Sequence, residues 1–452
     1  MNGKPPHTQH LVAIPYPGRG HINPMMNLCK LLVTKHPNLA ITFIITEEWL
    51  SFLVPTPKPE AVTFKTIPNV IPSELIRASI FPEFVKAVYT KMESPVEELL
   101  NALEQEDVPP VLGIVADTYV PWAVALGNRR NIPVVSLWTM SPSVFSVFYH
   151  FDLVIKNGHF PADLSERGNE IVDYIPGVAS TRLADLPTIF SGTGKQVLDD
   201  VLYAISCSKK ARSIMFTSFE ELELQVITSL KNILQVPVYS VGPLIPHTTL
   251  DSTANDNLED YFGWLDSQPA ESVLYISLGS FLSVSREQME EIIQGIRESG
   301  VRYLWVARGD TSWIQEACGE MGLVVPWCDQ LKVLCHSSIG GFWTPCGWNS
   351  TLEGVYAGVP MLTFPIFYDQ APDQKLIVEV WKIGMKVKKA SADILVGRKE
   401  ISKIVQRFMD LDGTESAEMR RNSSEIKEKC RQALAEGGSS QANLNAFYKR
   451  FL

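Results

Sequence analysis

Short apolar runs, many of them β-branched, alternate along the chain with longer stretches whose apolar positions recur every three or four residues. His10–Tyr16 (HLVAIPY), Leu39–Thr46 (LAITFIIT), Val62–Ile67 (VTFKTI), Val111–Asp117 (VLGIVAD) and Val134–Trp138 (VVSLW) read as strands. Helical spacing covers Asn23–His36 and Phe84–Leu103 between them. Runs that are apolar throughout, rather than at every second position, predict a parallel sheet covered on both faces. Ser213–Phe219 and Val236–Val241 extend this first pattern. Pro243–Asp256 (PLIPHTTLDSTAND) lacks periodicity and is rich in turn formers, which predicts a linker. The alternation then restarts with Val273–Leu278, a helix over Arg286–Ser299, Arg302–Ala307, Leu323–Trp327, Gly340–Thr344 and Met361–Phe364. Arg398–Leu452 is charged and helical. The reading is an α/β chain with two doubly wound halves facing across a cleft, where such sheets bind ligands.

Composition narrows this picture. With 45% hydrophobic residues in 452, the chain is not disordered, and it exceeds the roughly 250–300 residues that one core can serve. Forty Lys and Arg against 50 Asp and Glu leave a formal charge of −10, which argues against nucleic acid or an anionic membrane as main partner. A phosphorylated small molecule stays open, since a helix N-terminus binds phosphate without net positive charge. The seven cysteines are dispersed with no CxxC pair, which predicts reduced thiols rather than a disulfide framework or zinc site. The first apolar run is too short for a signal peptide, and no stretch approaches the roughly 20 residues of a membrane span. Together these predict a cytoplasmic protein without stable membrane insertion.

Two places carry candidate acid–base chemistry. Pro17-Gly18-Arg19-Gly20-His21-Ile22-Asn23-Pro24 follows the first strand and opens the first helix. The positive end of the helix dipole favours a neutral His21 able to accept a proton. As a dinucleotide fingerprint the turn is incomplete, because Asn23 stands where the third glycine belongs; a nicotinamide dehydrogenase is therefore a remote reading. Asp117 ends a strand at the same carboxyl edge, where it would fix the tautomer of His21 and stabilise the imidazolium. A turn-capping histidine and an N-capping aspartate remain open as plain alternatives. There is no nucleophile elbow for covalent hydrolysis.

From Trp327 to Gln370 the chain reads WCDQLKVLCHSSIGGFWTPCGWNSTLEGVYAGVPMLTFPIFYDQ. This resembles the signature box of plant secondary-product UDP-dependent glycosyltransferases, and the PYPGRGHINP opening and two-half layout resemble the same family. The resemblance implies the GT-B fold, two Rossmann-like domains facing across a cleft. It divides the chain into an acceptor-binding domain (1–243), a linker (244–256), a nucleotide-sugar domain (257–435) and a C-terminal helix (436–452) returning to the first domain. Carried over by position, Trp327 would stack on uracil and the Cys328 backbone would pair with its edge. Gln330 and Glu353 would hold the ribose; Asn349, Ser350 and Ser280 would hold phosphate. Trp348, Asp369 and Gln370 would meet the sugar hydroxyls, with His21 as base and Asp117 as its partner.

The resemblance breaks at Pro345, which stands where the box has histidine, so a hydrogen-bond donor to the pyrophosphate is missing. Tyr368 stands for the usual Trp, and Asp373-Gln374 for the usual Asn-Ala. The implied activity is inverting transfer of a sugar, glucose in the first instance, from a UDP-sugar to a hydroxyl of a small hydrophobic acceptor such as a phenolic or terpenoid. The UDP-sugar is a co-substrate; no cofactor or metal is implied, and the expected state is a monomer or weak dimer. Two other readings stay open. One is a cyclase, lyase or isomerase that uses His21 without a sugar donor, and the other is a silent small-molecule binder.

Overall fold

A computed structural model describes residues 8–53, 58–250, 260–279, 284–307, 312–388 and 395–451. The first half builds a seven-stranded sheet from β1 (Gln9–Ile14), β2 (Leu39–Thr46), β3 (Val62–Ile67), β4 (Val111–Asp117) and β5 (Val134–Trp138). A small antiparallel ribbon, β6 (Ile171–Val172) with β7 (Thr181–Arg182), intervenes before β8 (Ser213–Phe216) and β9 (Val238–Ser240) complete it. The second half builds a six-stranded sheet from β10 (Val273–Ser277), β11 (Arg302–Val306), β12 (Gly322–Val325), β13 (Ile339–Thr344), β14 (Met361–Thr363) and β15 (Gly384–Lys386). Both large sheets are wholly parallel.

The strand orders are β3-β2-β1-β4-β5-β8-β9 and β12-β11-β10-β13-β14-β15. Each reverses direction once, between β1 and β4 and between β10 and β13, and those switch points open crevices at the carboxyl edges. The apolar runs are explained by two-sided burial. On β1, Val12 and Ile14 enter one core and Leu11 and Ala13 the opposite one; on β10, Val273 and Tyr275 separate likewise from Leu274 and Ile276. Each Val, Leu or Ile among them contributes about 1.5–3 kcal/mol by leaving water.

Several boundaries differ from the sequence reading. β1 stops at Ile14 because Pro15 cannot donate to a ladder, so Tyr16 lies in the loop beside the cleft. The single helix expected over Phe84–Leu103 is two, Phe81–Lys91 and Glu93–Leu103, broken at Met92. Pro95 is the reason: without an N–H it suits only the first turn of a new helix. Conversely the first helix starts early, at Arg19, and runs through Pro24 to Lys35.

The described part of the linker opens in a buried position. Leu244 packs in the first domain and the next residue, Ile245, in the second; residues 251–256 lie outside the described ones. At the far end, the helix Thr414–Leu434 packs on the second domain through Met419, Cys430 and Ala433. The helix Ser439–Phe451 then crosses back, burying Leu444 and Phe447 under the first sheet's core. Among the described residues no helix is long and apolar enough to cross a membrane.

Candidate active site

The base side is assembled by register. Ile14 lies opposite Ala116, so the turn after β1 and the last residue of β4 reach one edge together. His21 is the third residue of its helix, with its N–H on the Gly18 carbonyl at 3.0 Å. Its Nδ1 donates to Asp117 Oδ2 at 2.8 Å, while Asp117 Oδ1 accepts the Tyr119 N–H at 2.9 Å. With the proton on Nδ1, the lone pair is on Nε2, which has no hydrogen-bond partner among the described residues. The His21 side chain is 20% exposed and Asp117 only 1%, the arrangement of a working ring over a sealed carboxylate. The rings of Tyr16 and Tyr119 wall the imidazole at centroid distances of 4.8 and 5.9 Å.

Thr139 completes this side and was not among the sequence candidates. Its Oγ1 lies 2.9 Å from His21 Nδ1. Asp117 faces Leu137 on β5, so a residue two places later falls at the same edge. A side chain just beyond a strand's carboxyl end was the available signal.

The donor side lies at the second switch point. The helix Trp348–Ala357 starts from Gly347, which supplies no side-chain cap, and its first turn holds no acidic residue. Its leading N–H groups therefore suit an anion. Asn349 and Ser350 stand in that turn, and Asn349 Nδ2 donates to the Gly20 carbonyl at 2.9 Å, joining the domains one residue from His21. Gln330 Nε2 donates to Ser350 Oγ at 2.9 Å and to Glu353 Oε2 at 2.6 Å, and its Oε1 accepts the Tyr275 hydroxyl at 3.1 Å. Burial pushes the Glu353 carboxyl up to about 7, with the Gln330 amide opposing. Cys328 is buried, its Sγ 3.4 Å from the Tyr275 hydroxyl, whereas Trp327 beside it is 62% exposed. An indole so exposed next to a polar crevice offers an open stacking face.

Gln370 Oε1 accepts the N–H groups of Ile366 at 2.7 Å and Phe367 at 2.9 Å, which leaves its Nε2 as the free end. Burial pushes the Asp369 carboxyl up to about 6, with a backbone hydrogen bond and then His21 opposing the rise. Two candidates stand apart. The Trp348 indole is 3% exposed and packs toward Trp381, so the ring is held in the core and only the main chain of this residue is left to meet a ligand. A resemblance fixes the position of a residue but not the direction of its side chain. Ser280 lies outside the described residues.

The departures have local accounts. Pro345 is buried against Gly279, where a Cβ would come within 3.3 Å of its Cγ. The Tyr368 hydroxyl meets that of Tyr119 at 2.7 Å, a bridge between domains that an indole could not form in this way. Its backbone N–H donates to Thr188 Oγ1 at 2.7 Å, and its carbonyl accepts the Thr188 N–H at 3.0 Å. Gln374 Nε2 donates to Thr363 Oγ1 and to the Lys388 carbonyl, both at 2.9 Å. Asp373 beside it is completely buried, with the Ser141 hydroxyl as a polar neighbour of its carboxyl.

Two Rossmann-like domains, with a carboxylate-paired histidine at one switch point and an uncapped helix N-terminus at the other, define a fold of GT-B type. The sequence model described as "UDP-glucoronosyl and UDP-glucosyl transferase" matches residues 247–401. UDP-glycosyltransferase 87A2 of Arabidopsis thaliana is 53% identical over 452 residues, covering 99% of this chain and 98% of the relative. A Medicago truncatula UGT solved with UDP-glucose matches 98% of both chains with a TM-score of 0.82 at 26% identity. Phytolacca americana UGT2, solved with UDP-2fluoro-glucose and pterostilbene, gives 0.83 at 25%, covering 98% of this chain and 99% of that one. The chain belongs to the plant UDP-glycosyltransferase family, and it is a glycosyltransferase. The non-glycosyl and silent readings are not favoured.

Proposed function

We propose that this enzyme transfers glucose from UDP-glucose, with inversion, to a hydroxyl of a small hydrophobic acceptor of phenolic or terpenoid type. The observation that carries this reading is the His21 Nδ1–Asp117 Oδ2 bond of 2.8 Å, which leaves the Nε2 lone pair available to an acceptor proton. In the scheme Nε2 takes the acceptor proton, and the oxygen bonds to the anomeric carbon as the bond to UDP breaks. The electron pair of that bond leaves with the diphosphate, and Asp117 stabilises the imidazolium. Trp327 and the Cys328 backbone hold the base, Gln330 and Glu353 the ribose, and Asn349 and Ser350 the diphosphate. Ser280 is assigned there by resemblance alone. Asp369 and Gln370 take the sugar hydroxyls, joined by Trp348 only through its main chain. The Trp348 helix N-terminus takes the role a cation would otherwise fill, so the scheme uses no metal or resident cofactor.

The glucose assignment draws on the UDP-glucose bound by the Medicago relative, and the phenolic acceptor on the pterostilbene bound by the Phytolacca relative. Six described cysteines are free thiols, which suits a cytoplasmic enzyme, here taken as a monomer or weak dimer. His21→Ala should lower glucosyl transfer to phenols by roughly 10²–10⁴-fold while UDP binding by calorimetry persists. Asp117→Asn should cost less, through the wrong tautomer. Near wild-type turnover from a folded His21→Ala protein would remove the base from this scheme.

A further inference from the structure

Arg77 belongs to neither the base nor the donor side, yet it is 8% exposed and sits against the turn that carries His21. It comes from a short 3₁₀ helix, Glu74–Ile80, outside the sheet. Its Nη1 donates to the Pro17 carbonyl at 3.1 Å, and its Nη2 pairs with Glu74 at 3.2 Å. The guanidinium carbon lies 5.8 Å from the centre of the Phe84 ring. The 3₁₀ helix is itself anchored, since Glu48 accepts the Glu74 N–H at 2.9 Å and also holds Ser73.

Gly18 supplies an independent observation. Its φ of 177° is extended backbone that any residue adopts, so conformation does not demand a glycine. Space does. A Cβ at Gly18 would lie 2.1 Å from Arg77 Nη1 and 3.3 Å from the guanidinium carbon. The missing side chain is the room that Arg77 fills. Gly18 is also the N-cap whose carbonyl takes the N–H groups of His21 at 3.0 Å and Ile22 at 2.9 Å. Arg77 therefore clamps the two residues that set where the helix begins, and with it where the imidazole stands.

We propose that Arg77, seated in the space left by Gly18, is a positioning residue for His21. The guanidinium holds the Pro17-Gly18 backbone so that Nε2 meets the acceptor hydroxyl within hydrogen-bond reach. Proton transfer requires that reach, and a displacement of about 1 Å costs on the order of 10²-fold in rate. The inference rests on the reading of His21 as base.

The test uses the full-length enzyme with UDP-glucose and a phenol that the wild type glucosylates. Arg77→Ala should lower kcat by about 10–100-fold and leave the KM for UDP-glucose within about twofold, because the donor side lies on the other domain. Gly18→Ala should do the same by displacing the guanidinium. The double variant Gly18→Ala/Arg77→Ala should be no worse than either single one, since the clash is gone. Arg77→Ala added to His21→Ala should cost nothing further. Additive losses in either pair, or a loss confined to the KM for UDP-glucose, would overturn the proposal. Should Arg77→Ala not fold, Arg77→Lys, which keeps one donor for Pro17, and Gly18→Ala decide it; unchanged kcat in Gly18→Ala refutes it. If His21→Ala itself keeps full turnover, the base reading has failed. A silent Arg77→Ala beside a crippled His21→Ala refutes this proposal alone.

Discussion

Asp373 stands where the family's usual wording has asparagine, completely buried at the seam between domains. Burial pushes its carboxyl well above the usual range, the neighbouring Asp369 adds to the rise, and the Ser141 hydroxyl opposes it. Glu223, which accepts the Ser143 N–H and hydroxyl, is pushed up to about 7 by burial in the same way. The folded protein therefore keeps protons that the unfolded chain releases near pH 4, and the sign follows. Stability from these groups is complete below the unfolded values, declines as pH rises from about 4 to 7, and falls further for Asp373. Asp373→Asn removes one such titration. Its Tm should match wild type near pH 4 and exceed it by about 2–4 °C at pH 8, read by calorimetry at both ends. A constant difference across that range would show that the Asp373 proton is not what matters. His21 and Asp117 were legible in the sequence because a glycine turn and a strand end mark the carboxyl edge. Thr139 and Arg77 were not, since a threonine and an arginine carry no flag of their own until register and an irregular segment bring them to the histidine.

Most strands of the two large sheets were legible to within a few residues, since a core on both sheet faces writes an unbroken apolar run, whereas the short edge strand Gly384–Lys386 and the ribbon Ile171–Val172 with Thr181–Arg182 carry no such run and were missed. Val62–Ile67, Val111–Asp117 and Val134–Trp138 stand where the pattern placed them. Helix ends were less so, because Pro95 reads equally as an interruption or a beginning until its neighbours are packed. The same ambiguity attaches to Pro345 at the approach to the Trp348 helix, a sterically acceptable residue that lacks a donor. Pro345→His adds a donor beside Asn349 and Ser350 at that helix start. It should strengthen binding of UDP-glucose by roughly tenfold, the worth of one hydrogen bond to a charged group. Titration calorimetry of both proteins reads this directly, and equal or weaker binding by the variant would mean that position 345 does not meet the diphosphate.

At the scale of the whole chain, hydrophobic patterning showed the last helix only as a charged amphipathic stretch, and its return to the first domain was legible through the family resemblance alone, because the surface it lands on is made by residues hundreds of positions earlier. Phe447 is fully buried there against the first domain. Phe447→Ala should cost about 3–5 kcal/mol in denaturant unfolding, a typical penalty for emptying an aromatic site. A loss below about 1 kcal/mol would show the helix to be loosely laid on. The chain thus passes between the domains twice, once at Leu244-Ile245 and once between Leu434 and Ser439. Added to the Asn349 bond on the Gly20 carbonyl and the Tyr119–Tyr368 hydroxyl pair, two covalent crossings at separate places leave little room for one half to slide or twist over the other. The distance between His21 and the Trp348 helix is thereby written into the path of the chain as well as into its side chains.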